Sequence, residues 1–545
     1  MGPEPLPPAP KILIITFMSV ALELTIFSKL FAAVAEEMGI VLRRSAFSPN
    51  IKERLDYSCA LCTAAGELLA QAAHIPVHLG ALPRTLRQVL PEFPLAPGDV
   101  LLLNDPYWGG THLPDLTVIA PFYAGERLAF YLVNRAHHAD VGGATPGSMP
   151  LARDLREEGV VIPPTYLYRQ GNLDEDFLNS LLAQMRVPHE RQGDLKAQLA
   201  ALYRGQQRLP ALVSRYGLDK LLDMSQALLN YAEGAMRDLL RTIPDGTYSF
   251  EDCLDDDGYG RHDLAIRLTL NIDGDAAVLD FRYSDDQASG GVNTVPAVVE
   301  AAVYYVFVTL LQEEYHINQG CFRPLTVLTR KGSLLEAAFP APVAAGNVET
   351  SQRLVDVVLG ALAQALPEVI PAASQGTMNN VSFGGVHPHN GQEFTYYETI
   401  GGGMGGRPQA PGLDGVHTHM TNTQNTPVEV LEHDYPVLIR RYALREGSGG
   451  AGRCPGGRGI VRDFHFLAPV TVSILSERRR HAPYGLNHGR PGAKGENVLI
   501  TAQGEKPLPG KINLNLPPDS HLSIRTPGGG GWGEVGGEGE VGGGG

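Results

Sequence analysis

Val100-Leu101-Leu102-Leu103-Asn104-Asp105-Pro106-Tyr107-Trp108-Gly109-Gly110-Thr111-His112-Leu113-Pro114-Asp115 opens the stretch that decides how the N-terminal part of this chain folds. It continues through Leu116–Phe122 and Leu128–Val133 into Asn134-Arg135-Ala136-His137-His138-Ala139-Asp140. Three apolar runs, at 100–103, 116–122 and 128–133, have strand length, and Ala124-Gly125-Glu126 reads as a turn between the last two. The spacing predicts an antiparallel meander. A meander reverses at each turn, so the loop 104–115 and the segment after Val133 fall at the same end of the sheet. Asp105, Asp115 and Asp140 then converge with His112, His137 and His138 on one rim.

Those side-chain types suit a metal. His112 and Asp115 lie three apart across Pro114, a spacing that lets one loop present both to a single ion. Mixed imidazole and carboxylate ligation fits Zn, Mn or Fe rather than Ca, which prefers oxygen donors. His137 supplies a third ligand from the neighbouring strand end. Asp105 or Asp140 completes the shell or orients a ligating histidine from behind. The alternative is a rim of polar loop residues bonded to one another.

Other candidates lie outside that stretch. In His74-Ile75-Pro76-Val77-His78 the two histidines either line the same cavity or satisfy core hydrogen bonds. Arg54 and Asp56 form either an internal ion pair or part of a site. Gly401-Gly402-Gly403-Met404-Gly405-Gly406 could cradle an anion through backbone N–H groups, but no Lys-Ser/Thr follows, so it is not a nucleotide P-loop. Substrate or anion contacts are therefore expected from His74, His78, Arg135, Gly402 and Gly403. In Asp414–Thr423 the polar residues alternate as on a strand or loop edge, with a structural role equally open.

The 545 residues, 43% hydrophobic and 19% charged, make an ordinary globular composition, long enough for about three or four domains. The net charge of −15 is spread along the chain, and no basic stripe marks a nucleic-acid partner. Five cysteines are too few for a disulfide framework. Cys59 and Cys62 fall in a strand pattern that places them on opposite faces, unsuited to a shared zinc. A reducing cytoplasm is the expected compartment. Ile12–Phe27 is interrupted by Glu23 and shorter than the ~20 residues of a membrane span. It also lacks the flanks of a signal peptide. Met18 could be the start of translation.

The expected class is α+β and multidomain, an antiparallel sheet with metal-site loops at one rim being joined by long helices and a β-rich C-terminal domain. Residues 1–17 read as a disordered extension, and 18–245 as an α+β domain carrying the site. Within it Val20–Leu42 is an amphipathic helix, and Ser180–Ala201 and Leu218–Ile243 are helical, with Pro188 breaking the first and Pro210 separating the two. Residues 246–440 read as a central α/β domain. There Leu264–Leu270, Ala277–Tyr283 and Val303–Phe307 suggest strands, and Asn347–Leu366 a helix. Residues 441–530 read as β-rich, and 531–545 as a disordered Gly-rich tail.

Several segments together resemble one family. They are Ala35–Leu42, Ser48–Arg54, His74–Gly80, the two histidine segments above, Gly346-Asn347-Val348-Glu349-Thr350-Ser351-Gln352-Arg353, Thr421-Asn422-Thr423 with Pro427-Val428-Glu429, Gly456–Gly459 and Thr526–Gly531. In that order, over about 20–532, they look like hydantoinase B, the B-type component of the N-methylhydantoinase/5-oxoprolinase group, which is related to the acetone and acetophenone carboxylases. The leading extension and long Gly/Glu tail depart from the pattern without touching the candidate site.

The resemblance implies a divided reaction. An A-type partner with an actin-like ATPase fold would use ATP and Mg to phosphorylate a carbonyl of a small-molecule substrate. The present chain, as the B-type member of a hetero-oligomer, would then open the cyclic amide of a hydantoin or 5-oxoproline. The alternative is a subunit of an ATP-dependent ketone carboxylase. The related carboxylases hold a divalent metal, Zn or Mn being equally compatible here, and the resemblance carries that role onto His112, Asp115 and His137. Asp105, His138 and Asp140 are then candidates for general acid–base work. No membrane or nucleic acid enters the scheme.

Overall fold

The computed structural model describes residues 11–72, 75–78, 80–311 and 317–535, with the backbone alone at 11–20. His74, most of the expected N-terminal extension (1–10) and residues 536–545 of the expected tail lie outside them. Among the described residues the architecture is mixed α+β, with four sheets and several long helices.

The first sheet has seven strands in the order β2-β1-β5-β4-β3-β6-β7: β1 Tyr57–Thr63, β2 Leu68–Gln71, β3 Val100–Leu103, β4 Asp115–Ala124, β5 Arg127–His137, β6 Thr165–Arg169 and β7 Asn172–Leu173. Its centre is the expected meander. β3 pairs antiparallel with β4, and β4 with β5 across the turn at Gly125, whose φ of 65° suits a residue without a Cβ. The register sets Asp115 directly opposite His137. β1 joins β5 on its other side, and Cys59 and Cys62 lie on β1, where burial pushes both thiols up.

Long helices cover this sheet. One runs Lys11–Ser45, starting before the expected Val20, and buries Phe31, Val34, Met38 and Leu42. Pro188 stands at the first turn of helix Pro188–Tyr216, where its missing N–H costs nothing. Pro210, expected to divide two helices, lies inside this one. The break falls at Gly217, which adopts φ 80° before helix Leu218–Thr242.

β8 Gly246–Asp256, β9 His262–Asp273, β10 Ala276–Asp280 and β11 Leu325–Leu328 form the second sheet. Val303–Phe307, expected as a strand, belongs to helix Pro296–Thr309. That helix is apolar nearly all round and buried, and such a segment carries no amphipathic period to mark it as helical. A π-turn at Gly346–Thr350 leads into helix Ser351–Ala365, close to the expected 347–366.

β12 Asn380–Val386, β13 Glu393–Glu398, β16 Val470–Leu475 and β19 Lys511–Leu516 form a third sheet, and β14 Val437–Arg445, β15 Gly459–Phe466, β17 Glu496–Thr501, β18 Gly504–Leu508 and β20 Ser520–Arg525 a fourth. Residues 380–398, grouped above with 246–440, thus hydrogen-bond to strands beyond 440. Between these two sheets lies a core of its own, including Val381, Phe383, Tyr396, Phe464, Phe466, Val472, Leu522 and Ile524.

The Gly-rich stretches pack on one another. A Cβ on Gly403 would collide with the Gly457 carbonyl oxygen, and one on Gly529 with the Met404 carbonyl oxygen. Only bare backbone fits at that separation. Gly531 and Trp532, which open the expected tail, are buried in this packing, and Trp532 bridges to Cys454 and Leu486.

Candidate active site at the rim of the first sheet

The cross-strand pair Asp115–His137 forms the floor of the site, and His112, three residues ahead of β4, folds back over it. A ligand atom from each of His112, Asp115 and His137 lies within 4.8 Å of the others, and all three residues are buried. His112 Nε2 is 3.3 Å from Asp115 Oδ1, and the His112 and His137 rings have centroids 5.0 Å apart. His78 joins from a short 3-10 turn, Pro76–His78, with Nε2 3.4 Å from Asp115 Oδ2. The Thr111 hydroxyl also donates to that oxygen.

Each ring is held from behind. Ser58 Oγ contacts His78 Nδ1 at 2.8 Å, and the Asn50 carboxamide contacts His137 Nδ1 at 3.1 Å. Tyr397, from β13, stacks on His137 with centroids 4.6 Å apart and planes 4° from parallel. On the ring of Tyr397 rests the Arg54 guanidinium, 4.9 Å from its centroid. Arg54 is fully buried and bonds the Tyr397 carbonyl, Asn50 and Thr399. It also ion-pairs with Asp56 at 3.9 Å.

Burial alone would raise the Asp115 carboxyl, but His112 and His78 outweigh it and hold the group well below the usual carboxylate range. Burial, reinforced by His112, pushes His137 far toward its neutral form. Asp56, facing the same cavity, is raised by burial against the pull of Arg54.

This donor set fits a divalent cation. His137 Nε2 and His112 Nδ1 are buried without a hydrogen-bond partner among the described residues, and His112 Nε2 meets only the Asp115 carboxylate, 3.3 Å away. Groups so placed carry an uncompensated desolvation penalty unless something binds them. One ionised carboxylate and two neutral imidazoles are what Zn or Mn accepts.

The other residues expected at the site are placed elsewhere. His138 points to the opposite face of the sheet, where Nε2 meets Gln198 Oε1 at 3.0 Å. Alternation along the strand end separates it from His137. Asp140 builds a loop: it accepts from the Gly142 and Gly147 amides and pairs with Arg186 at 3.0 Å. Asp105 caps the turn Pro106–Trp108 through the Tyr107 amide. Arg135 is buried between Thr117 and Thr85, both taken as hydrogen-bond partners, and burial lowers its pKa to about 10. Gly402 and Gly403 form no anion cradle, because their amides donate to the carbonyls of Val416 and Pro527.

The remaining cavity wall comes from residues whose roles the sequence did not reveal. Asn347, Val348, Met378, Thr399, Met420 and Thr421 enclose, with the histidine cluster, a space of about 20 Å³. Asn347, Val348 and Thr421 fall in the family-like segments 346–353 and 421–423, whereas Met378, Thr399 and Met420 lie outside them.

Comparison with solved structures defines the class first. The chain superposes on the ATP-dependent caprolactamase of Pseudomonas jessenii with a TM-score of 0.87, 30% identity, and coverage of 94% of this chain and 91% of that one. It shares the fold of an acetone carboxylase chain, with a TM-score of 0.83 at 17% identity over 94% of this chain and 75% of the other. The hydantoinase B/oxoprolinase family model matches residues 21–535, and the chain belongs to that family. Among relatives, 5-oxoprolinase 1 of Arabidopsis thaliana is 41% identical over 94% of this chain and 42% of that protein. The 5-oxoprolinase of Saccharomyces cerevisiae is 38% identical over 94% of this chain and 41% of that protein. A protein of Pseudomonas sp. (strain NS671), named as the putative B component of a D-/L-hydantoinase, is 32% identical over 92% of this chain and 88% of its own length. The chain thus spans about two fifths of the length of the eukaryotic 5-oxoprolinases it matches. Among the described residues no helix is long and apolar enough to cross a membrane.

Proposed function

We propose that this chain carries the ring-opening half of an ATP-dependent cyclic amide hydrolase, acting on hydantoin-like or 5-oxoproline-like rings. The supporting observation is the family match over residues 21–535, within which the buried His112–Asp115–His137 cluster lies. ATP chemistry is assigned to an A-type partner with an actin-like ATPase fold, using Mg. Two things support that division. The eukaryotic 5-oxoprolinases are more than twice as long as this chain, and its Gly401–Gly406 stretch is occupied by backbone packing rather than shaped for phosphate.

A divalent cation, Zn or Mn, held by His112, Asp115 and His137 would polarise the ring carbonyl and lower the pKa of a bound water toward ~7. The protein's own groups do the rest. Asp115, ionised, takes His78 Nε2 at 3.4 Å while Ser58 Oγ meets Nδ1 at 2.8 Å, so both ring nitrogens of His78 are engaged and the ring serves to orient the Asp115 carboxylate. Asp56, whose carboxylate faces the same cavity, is the proton acceptor for the attacking water. As the water oxygen bonds to the ring carbon that bears the phosphorylated oxygen, the carbon–nitrogen bond breaks and its electron pair goes to nitrogen. The proton held by Asp56 passes to that nitrogen, which stays attached to the opened chain as an amine or ureido group. A second water then hydrolyses the remaining acyl phosphate to carboxylate and phosphate. Tyr397 and Arg54 hold the His137 plane throughout.

The test is turnover of the chain combined with its ATPase partner, on 5-oxoproline, hydantoin and acetone, each with and without bicarbonate. Ring opening coupled to ATP hydrolysis and indifferent to bicarbonate supports the reading. Strict bicarbonate dependence with a ketone substrate would replace it by the carboxylase reading, for which the 17% identity supplies fold likeness alone.

A further inference from the structure

Asn347 stands out among the cavity residues. It is 3% exposed, and its Oδ1 has no hydrogen-bond partner among the described residues. Its backbone, by contrast, is fully engaged. The Asn347 amide donates to the Val343 carbonyl, and the Asn347 carbonyl accepts from Ser351 Oγ at 2.5 Å. The helical segment that carries it is anchored further back, where the Glu158 carboxylate takes the amides of Val343 and Ala344. Gly346, next to it, has the Asn293 carbonyl oxygen where a Cβ would go, so only glycine lets the turn pack this closely on that backbone. A buried carbonyl oxygen left unpaired costs about 1–3 kcal/mol. Here that group is rigidly mounted in the same cavity as His78, Asp115 and His137.

We propose that Asn347 Oδ1 accepts the N–H of the substrate ring and so makes the site selective for cyclic amides with an unsubstituted scissile nitrogen. The inference rests on the cyclic-amide reading above. Its chemistry is specific. In a small lactam the amide is held cis, so N–H and C=O leave the ring along one edge. Asn347 Oδ1 as acceptor for the N–H, in a cavity that Asp115 and His137 also line, would leave the C=O end of that edge to the cluster. When the carbon–nitrogen bond breaks, the nitrogen takes the electron pair and a proton, and the same Oδ1 remains a partner for its N–H. The cavity is water-sized, and its deformable walls are the thioether side chains of Met378 and Met420, which repack more readily than branched residues. An acceptor that reads a substrate N–H also rejects the analogue lacking it, because the acceptor is left buried and unpaired.

The experiment is titration of the purified chain with 2-pyrrolidone and with 1-methyl-2-pyrrolidone, followed by calorimetry, for the wild type, Asn347→Ala and Asn347→Asp. Metal content is measured on each sample. The wild type is expected to prefer the N–H ring by about tenfold or more, the discrimination a single polar contact gives. Asn347→Ala should bring the two rings within about twofold of each other, and Asn347→Asp, which keeps the acceptor, should retain the preference. All three should carry the same metal content. An undiminished preference in Asn347→Ala, or none in the wild type, overturns the proposal while leaving the lactam reading intact. Metal lost from Asn347→Ala alone also overturns it, since Oδ1 would then serve the ion. Failure of the wild type to bind either ring would remove the cyclic-amide reading itself, and this assignment with it.

Discussion

The Tyr397 ring lies flat on the imidazole of His137, centroids 4.6 Å apart, although the two residues come from different sheets. Arg54 caps the other face of Tyr397, and the Tyr397 hydroxyl donates to Asn380 Oδ1 at 2.8 Å. The stack joins β5 of the first sheet to β13 of the third and sets the plane in which His137 presents Nε2.

Tyr397→Leu is therefore expected to reduce turnover and metal affinity by about 10–100-fold, the range seen when groups behind a ligand are removed. Tyr397→Phe keeps the ring and loses only the bond to Asn380, so its effect should be far smaller. Equal losses in both variants, measured by steady-state kinetics and metal titration, would show that the stack does not orient His137.

Gly403→Ala is expected to destabilise the chain. Its Cβ would run into a backbone oxygen, and backbone cannot turn aside as a side chain can. Overpacking of this kind costs about 1–3 kcal/mol, visible as a lower thermal midpoint. Gly504, with open space around its Cβ position, has φ 116° and is a poor control; Gly234, in helix Leu218–Thr242 with nothing within 4 Å, is the suitable one. Gly234→Ala should leave the midpoint unchanged or raise it.

Stability should fall as pH rises from about 4.5 toward 8. Burial raises the Glu158 carboxyl from 4.5 to about 8, against the pull of the Ala344 and Val343 amides, so the folded chain keeps a proton that the unfolded chain releases. With fewer protons on the unfolded state, the stability contribution is complete below the unfolded value and is lost through the folded one. Glu349, raised likewise to about 8 by burial, acts in the same direction. Glu158→Gln cannot ionise, so its melting temperature should drop less between pH 5 and pH 8 than the wild type's. Parallel curves would place the ionisation elsewhere.

How far the sequence could be read depended on the range of the interactions. The meander at 100–133 and the pairing of its ends were legible because strand alternation and turn residues are local signals, and these brought His112, Asp115 and His137 to one rim. His138 and Asp140 were not separable from them by sequence, since a one-residue step changes the face of the sheet and a loop carboxylate has many possible donors. Gly402 and Gly403 looked like an anion cradle because Gly-rich backbone serves both ligands and close packing. The partners at Val416, Gly457, Pro527 and Gly529, the last three more than fifty residues away, decide between the two. Asn347 lies in the turn ahead of helix Ser351–Ala365, Tyr397 on β13 and Thr421 in a loop, and they meet at the cavity through tertiary contacts that no local pattern encodes.

Ring opening is held to depend on a divalent metal bound by His112, Asp115 and His137. The most direct measurement is the metal content of the purified chain, by elemental analysis, for the wild type and for His112→Ala, with circular dichroism to confirm folding. About one Zn or Mn per chain is expected in the wild type, as a three-ligand site of this composition holds a single ion. None is expected in a folded His112→Ala, with loss of turnover. Full metal occupancy and full turnover in His112→Ala would contradict the assignment.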